Sequence, residues 1–236
     1  MSNAVKSIPV SKIKPKSMIQ TSVGMKVLIA ITGILLIGFV LGHMLGHLQM
    51  FAGQDKYNSY AKMLKDLGPA LWVIRLGLLG IFLLHIRLAI KVTMLNKKAR
   101  PQPYFNQKTQ MASFASRTMI LSGLVILAFV VYHLMHFTVH ATNPEYNSMV
   151  DSLGRADVYG MMIASFNNIV LVAIYLIAVL VLSLHLSHGL FSALQTFGFN
   201  SPAIDSKIKL ISTGFAVFIF VGYASVPVAI LMGVIK

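Results

Sequence analysis

The chain has 236 residues, of which 56% are hydrophobic and 11% charged, and its mean hydropathy is +0.76. A soluble domain has too little interior to hide that much apolar surface, so the composition excludes an ordinary soluble enzyme and indicates an integral membrane protein. The formal net charge of +14 invites a nucleic-acid reading, which the placement of the charges answers below, and the lack of cysteine excludes disulfides, thiolate-held iron–sulfur clusters and covalent c-type haem attachment within this chain.

The first 20 residues, MSNAVKSIPVSKIKPKSMIQ, form a basic tail. No short apolar core with a small-residue cleavage site follows, so the tail is expected to be retained and the first span to act as an uncleaved anchor. Five apolar stretches come next, at roughly 25–51, 70–95, 118–140, 159–195 and 208–234. Each is long enough to cross ~30 Å of hydrocarbon as a helix of about 20 residues. Strand-type alternation is missing, which disfavours a barrel. The expected fold is therefore an all-α integral membrane protein, one domain built as a five-transmembrane-helix bundle. Gly68-Pro69 marks the start of the second span, and Arg100-Pro101-Gln102-Pro103 an inter-span loop where proline stops helix. Asn143-Pro144 opens a later loop, and Asn200-Ser201-Pro202 breaks the chain before the fifth span, in which Pro227 favours a kink.

The cations gather on alternate connections. Lys6, Lys12, Lys14, Lys16 and Lys26 precede or open the first span, Lys97, Lys98, Arg100, Lys108 and Arg117 lie between the second and third, and Lys207 and Lys209 lie between the fourth and fifth. These segments share one side, which the positive-inside rule makes the cytoplasm, with the N-terminus inside and the C-terminus outside. The opposite loops carry Asp55, Asp66, Glu145, Asp151 and Asp157. Most of the basic excess thus reads as a topology signal rather than a nucleic-acid surface. A docking face for a soluble partner or anionic lipid is compatible with it.

All eight histidines, His43, His47, His85, His133, His136, His140, His185 and His188, fall in or at the ends of the first four spans. Ionisable groups inside a bilayer are costly and tend to be functional, although interhelical hydrogen bonding or a water-lined cavity is the plainer reading of any single one. Spans one and three share a glycine-to-histidine pattern, TGILLIGFVLGH and SGLVILAFVVYH, which runs from Gly33 to His43 and from Gly123 to His133. At ~1.5 Å per residue, His43 and His133 lie roughly 25 Å from the basic side, and His85 and His185 about 18 Å. Two layers result. Two histidines from separate helices at one depth suit bis-imidazole haem ligation, each offering a neutral nitrogen to iron from one face of a porphyrin. Gly33 and Gly123 fall near the inner layer, where a small residue lets a flat macrocycle approach the backbone. His47, one turn after His43, could form a metal pair with it or sit at the wet interface. His136 and His140 continue outward from His133 as a polar stripe suited to an interfacial or quinone-pocket role. His188 fits a contact beside His185 or the interface equally. Arg75, Arg117, Ser22 and Lys26 are placed to meet haem propionates, with simple snorkelling as the equal alternative.

These residues resemble the cytochrome b membrane anchor of succinate dehydrogenase and fumarate reductase, in its single-subunit, five-helix, two-haem form. The likeness covers nearly all of residues 20–235 and is most specific in GHML at 42–45, LLH at 83–85, YHLMHFT at 132–138 and LHLSHGLFSALQTFG at 184–198. The resemblance implies two haem b groups with His43 and His133 as axial ligands of the outer iron and His85 and His185 of the inner one. It further implies an FAD-containing flavoprotein and an iron–sulfur subunit at the cytoplasmic face, with electrons passing to a membrane quinone, usually menaquinone in this form. The setting is the bacterial cytoplasmic membrane, and the dicarboxylate chemistry of the enzyme belongs to another chain. His47 departs from the family's pattern and makes the ligand on the first span less automatic, although GHML favours His43. No carboxylate lies within a span, so an acidic proton wire across the bilayer is not evident. Asp55, Asp66, Tyr57, His47 and His136 are the candidates beside a quinone near the outer haem. The rival readings are another dihaem anchor, such as that of a hydrogenase or formate dehydrogenase, and, from a different class, a transporter with a histidine-lined proton or metal path. A bc-type cytochrome b is disfavoured because no span carries two histidines some 13–14 residues apart.

Overall fold

The computed structural model describes residues 17, 19, 21–99, 114–199 and 201–236. Most of the basic tail, the Arg100–Pro103 loop with Lys108, and Asn200 lie outside the described residues. Among the described residues the regular elements are helices: α1 (Ser22–Leu48), α2 (Gln54–Asp66), α3 (Pro69–Lys98), α4 (Phe114–Arg117), α5 (Met119–Phe137), α6 (Val158–Phe166), α7 (Ile169–Thr196) and α8 (Asp205–Leu231). Short 3-10 turns at Gln49–Ala52 and Pro144–Ser148 complete it. Five helices, α1 with its 3-10 extension, α3, α5, α7 and α8, are long and apolar enough to cross a membrane. The chain is a multi-pass α-helical membrane protein in form.

The helix ends follow from local chemistry. Thr21 caps α1 by accepting the Gly24 amide at 3.1 Å. Gly68, at φ 54, turns the chain into α3, whose first residue is Pro69. The apolar stretch 159–195, expected as one span, is two helices. The chain breaks at Asn167–Asn168, where the Asn168 side chain takes up the amides of Val170 at 2.9 Å and Leu171 at 3.4 Å and so starts α7 afresh. Residues 54–66, expected as loop, form the polar helix α2. The helix α8 continues through Pro227 to Leu231.

One end of the bundle, called the basic end, carries Lys26, Lys97, Lys98, Arg117, Lys207 and Lys209. The other is capped by α2, α6 and their connections. The largest buried cluster lies at the capped end, with Met50, Tyr57, Met162, Phe166, Val172, Tyr175, Val226 and Ile230. A second joins α1, α7 and α8 through Met44, Leu186 and Ile219, with Met44 packed against the bare Cα of Gly222. Large apolar side chains point outward all around, among them Val23, Trp72, Val73 and Leu210. On helices of this length, hydrocarbon is the solvent such surfaces match.

Candidate functional site

Helix packing decides which histidines face each other. α1 packs on α3 and on α7, and α5 packs on α7 and more lightly on α3. These four helices form a square, with α8 outside it against α7 and α1. α1 therefore stands diagonally opposite α5, and α3 opposite α7. His43 and His133 share the first diagonal, His85 and His185 the second.

The two diagonals lie at different depths. A Cβ built on Gly33 would lie 3.4 Å from His85 Cε1, and one on Gly123 would lie 3.7 Å from His185 Cε1. Each glycine thus lies beside an imidazole of the adjoining helix, in ordinary van der Waals range for a methyl group and too close for a larger side chain without displacing the ring. Both glycines precede the histidine of their own helix by ten residues, so the second diagonal is ~15 Å nearer the basic end, about twice the gap between layers that counting from the helix ends gave.

Hydroxyls steady the inner pair. Thr32 Oγ1 is 3.0 Å from His85 Nδ1, and Ser122 Oγ is 3.0 Å from His185 Nδ1. All four residues come from adjoining helices of the square, α1 with α3 and α5 with α7.

The outer pair has a different setting. The His43 and His133 rings are 5.9 Å apart between centroids at 89°. That is close to the ~6 Å that two imidazoles span when they meet one metal ion from opposite sides with bonds of about 2 Å. His43 stacks on Phe39 at 5.3 Å, and His133 lies beside Phe129 and Phe137. His47 does not join the pair. Its Nε2 is 3.1 Å from His43 Nε2, and its Nδ1 is 2.7 Å from the Tyr57 hydroxyl. Burial, then the neighbouring Tyr60, pushes the Tyr57 hydroxyl well above the ordinary phenol range, so it stays protonated. If Tyr57 donates to His47 Nδ1, the His47 proton lies on Nε2 and meets the Nε2 lone pair of His43, so ligation of a metal by that nitrogen requires the His43–His47 contact to open.

Tyr57 is held in place from outside the spans. Asn58, fully buried, donates to Asp151 at 3.1 Å and Asp157 at 2.9 Å and accepts the Tyr159 amide at 2.9 Å. Arg155 bonds Asp151 at 2.7 Å and pairs with Asp55 at 2.9 Å. Burial alone would raise the Asp151 carboxyl, but the hydrogen bonds from Arg155, Asn58 and the Leu153 amide outweigh it and hold the group at about 2. α2 is thereby fastened to the segment 151–160.

The remaining sequence candidates are dispersed. His136 is fully buried, 2.9 Å from the Tyr175 hydroxyl and 3.4 Å from Ser165 Oγ. Tyr175 also reaches His133 Nδ1 at 3.5 Å, and Ser165 is 2.8 Å from the Tyr146 hydroxyl. Asp55 is occupied by Arg155, and Asp66 by Lys62 at 2.6 Å on the exposed face of α2. Of the five quinone candidates, the structure brings Tyr57 and His47 together beside His43 and places His136 on the other side of the outer pair, joined to His133 through Tyr175. Ser22, Lys26 and Arg117 are exposed at the basic end. Arg75 lies over the Trp72 ring, 5.3 Å from its centroid, on an exposed stretch of α3. His140 donates to Asn147 at 2.8 Å, and His188 is half-buried.

Sequence reading missed Thr32, Ser122, Tyr175, Ser165 and the Asn58–Asp151–Arg155 clamp. Thr32 and Ser122 had a visible signal, since each stands immediately before the glycine of the repeated pattern. The clamp had none, because its members are some 90 residues apart in the chain.

Comparisons with family models, with curated proteins and with solved structures find no match to this chain. The fold and site define its class by themselves: a multi-pass helical membrane protein with two crossed histidine pairs. Among the described residues, no group of three or more histidine, cysteine or acidic side chains could hold a metal ion. Paired imidazoles suit a metal whose other ligands come from its own macrocycle. Glycine beside each inner imidazole, with a hydroxyl on its Nδ1, fits that group.

Proposed function

We propose that the chain is a dihaem cytochrome b, the membrane anchor and quinone-reactive subunit of a succinate:quinone oxidoreductase of the succinate dehydrogenase or fumarate reductase kind. The observation that carries this reading is the pair of crossed diagonals, each ending in two imidazoles from opposite helices. His85 and His185 would hold the haem nearer the basic end, and His43 and His133 the other. When bound, the two haems supply one-electron redox chemistry at two depths of the membrane. The protein supplies opposed imidazoles, apolar walls that exclude water, and glycine at the points of closest approach. The basic end is the cytoplasmic face, with the N-terminus inside and the C-terminus outside, and it receives the iron–sulfur subunit and the FAD-containing flavoprotein. Dicarboxylate chemistry resides on the flavoprotein. The quinone is menaquinone, and the membrane is a bacterial cytoplasmic one.

Purification of the complex with its copurifying subunits tests this reading. Two irons per chain, a Soret band and reduction of both haems by succinate are expected. Reduction by hydrogen or formate instead would assign the anchor to another oxidoreductase. A colourless polypeptide, or one iron per chain, would overturn the dihaem reading and return the histidines to proton or metal transport.

A further inference from the structure

Thr32 and Ser122 occupy equivalent places. Each is buried, each lies one residue before a glycine that flanks an imidazole, and each puts its hydroxyl 3.0 Å from Nδ1 of that same imidazole. A hydroxyl has one proton and two lone pairs. Thr32 Oγ1 is 2.8 Å from the Leu28 carbonyl and 3.1 Å from that of Ile29, and Ser122 Oγ is 3.0 Å from the Met119 carbonyl. A carbonyl can only accept, so in both places the hydroxyl proton goes to the backbone of its own helix. The lone pairs are then left for the imidazole, and Nδ1 carries the proton that meets them.

We propose that Thr32 and Ser122 are positioning residues that hold His85 and His185 in the Nδ1–H tautomer, with each Nε2 lone pair bare toward the bundle centre and ready for a metal. The proposal rests on the dihaem reading for the identity of the metal group but not for the tautomer. Ordinary back-bonding of serine and threonine in a membrane helix explains the hydroxyl-to-carbonyl half of the arrangement. It does not explain why both hydroxyls meet Nδ1 of the histidine on the adjoining helix. A ring N–H that donates to an acceptor makes the opposite nitrogen more basic and fixes the ring's orientation. A more basic ligand favours the oxidised metal, so loss of the bond should raise the inner haem's midpoint potential.

The test compares Thr32→Val and Ser122→Ala with Thr32→Ser and Ser122→Thr in the purified full complex, with wild type alongside. Wild type establishes whether two haems are present, which tests the dihaem reading separately. In the hydroxyl-free variants the inner haem's potential should rise and its low-spin EPR signal should move, while the outer haem's values stay put. Haem retention at the inner site should weaken about 10-fold. The hydroxyl-retaining variants should restore wild-type values. Unchanged inner potential and EPR signal in both hydroxyl-free variants would overturn the proposal, as would equal shifts at both haems. If wild type binds no haem, 15N NMR of histidine-labelled protein decides the tautomer directly. Nδ1–H signals at His85 and His185 that are lost in the variants support it, and Nε2–H signals in wild type refute it.

Discussion

His85 and His185 are each steadied by one hydroxyl from the neighbouring helix, within the bundle itself. His43 is reached differently, through His47, Tyr57 and the helix α2, which Asn58 fastens to the connection before α6. The inner layer is self-contained, and its partners are near in space because adjoining spans pack along their length. The outer layer is mixed: His133 is met within the bundle by Tyr175 of α7, while the His43 side leans on a structure outside the spans. The contrast teaches where each layer is vulnerable. The inner layer answers to changes in the bundle, and the outer layer also answers to changes in the cap.

Removal of a ligand should separate the two layers most clearly. If the chain binds two haems as proposed, His85→Ala or His185→Ala should take away the inner one, leaving about one iron per chain and an intact outer-haem spectrum. His43→Ala or His133→Ala should do the reverse. If His43→Ala keeps both haems and His47→Ala loses one, the ligand on α1 is His47. Next in size is the cap. Asn58→Ala strips partners from Asp151, Asp157 and the Tyr159 amide and should cost about 3 kcal/mol, read as a lower unfolding temperature in detergent. Its spectral effect should fall on the outer haem alone.

Acid offers a graded version of the same experiment. Asp151 titrates below its ordinary value of 3.8, at about 2. Its contribution to the cap is therefore fully present above the ordinary value and is lost as pH falls through about 2. Outer-haem absorbance should change in that window before the inner haem responds. An inner haem that changes first would show that the cap does not act through the outer layer. The smallest expected effect is that of Tyr57→Phe, which removes one hydrogen bond of about 1 kcal/mol. It should shift the outer haem's spectrum slightly and leave the inner one unchanged.

Much of this molecule can be read without coordinates. The five spans follow from runs of apolar residues, because a bilayer demands length and greasiness and little else. The places of Gly33, Gly123 and the histidines along their helices follow from a constant rise per residue. The break at Asn167–Asn168 was not legible, since the flanking residues are apolar on both sides and only the amide-capping geometry of Asn168 reveals it. Nor was α2, whose polar sequence reads equally as loop until Asn58 is seen buried against residues 151–159.

Five helices long and apolar enough to cross a membrane, with histidines at two depths, can be read from the residues alone, because hydropathy and helical rise are properties of one segment at a time. Only the tertiary structure decided which helices stand diagonally opposite, that Thr32 and Ser122 meet the inner imidazoles, and that Tyr57 serves His47. Those facts depend on contacts between separate helices, some of them well over a hundred residues apart in the chain, and no periodicity within a single helix encodes its neighbour.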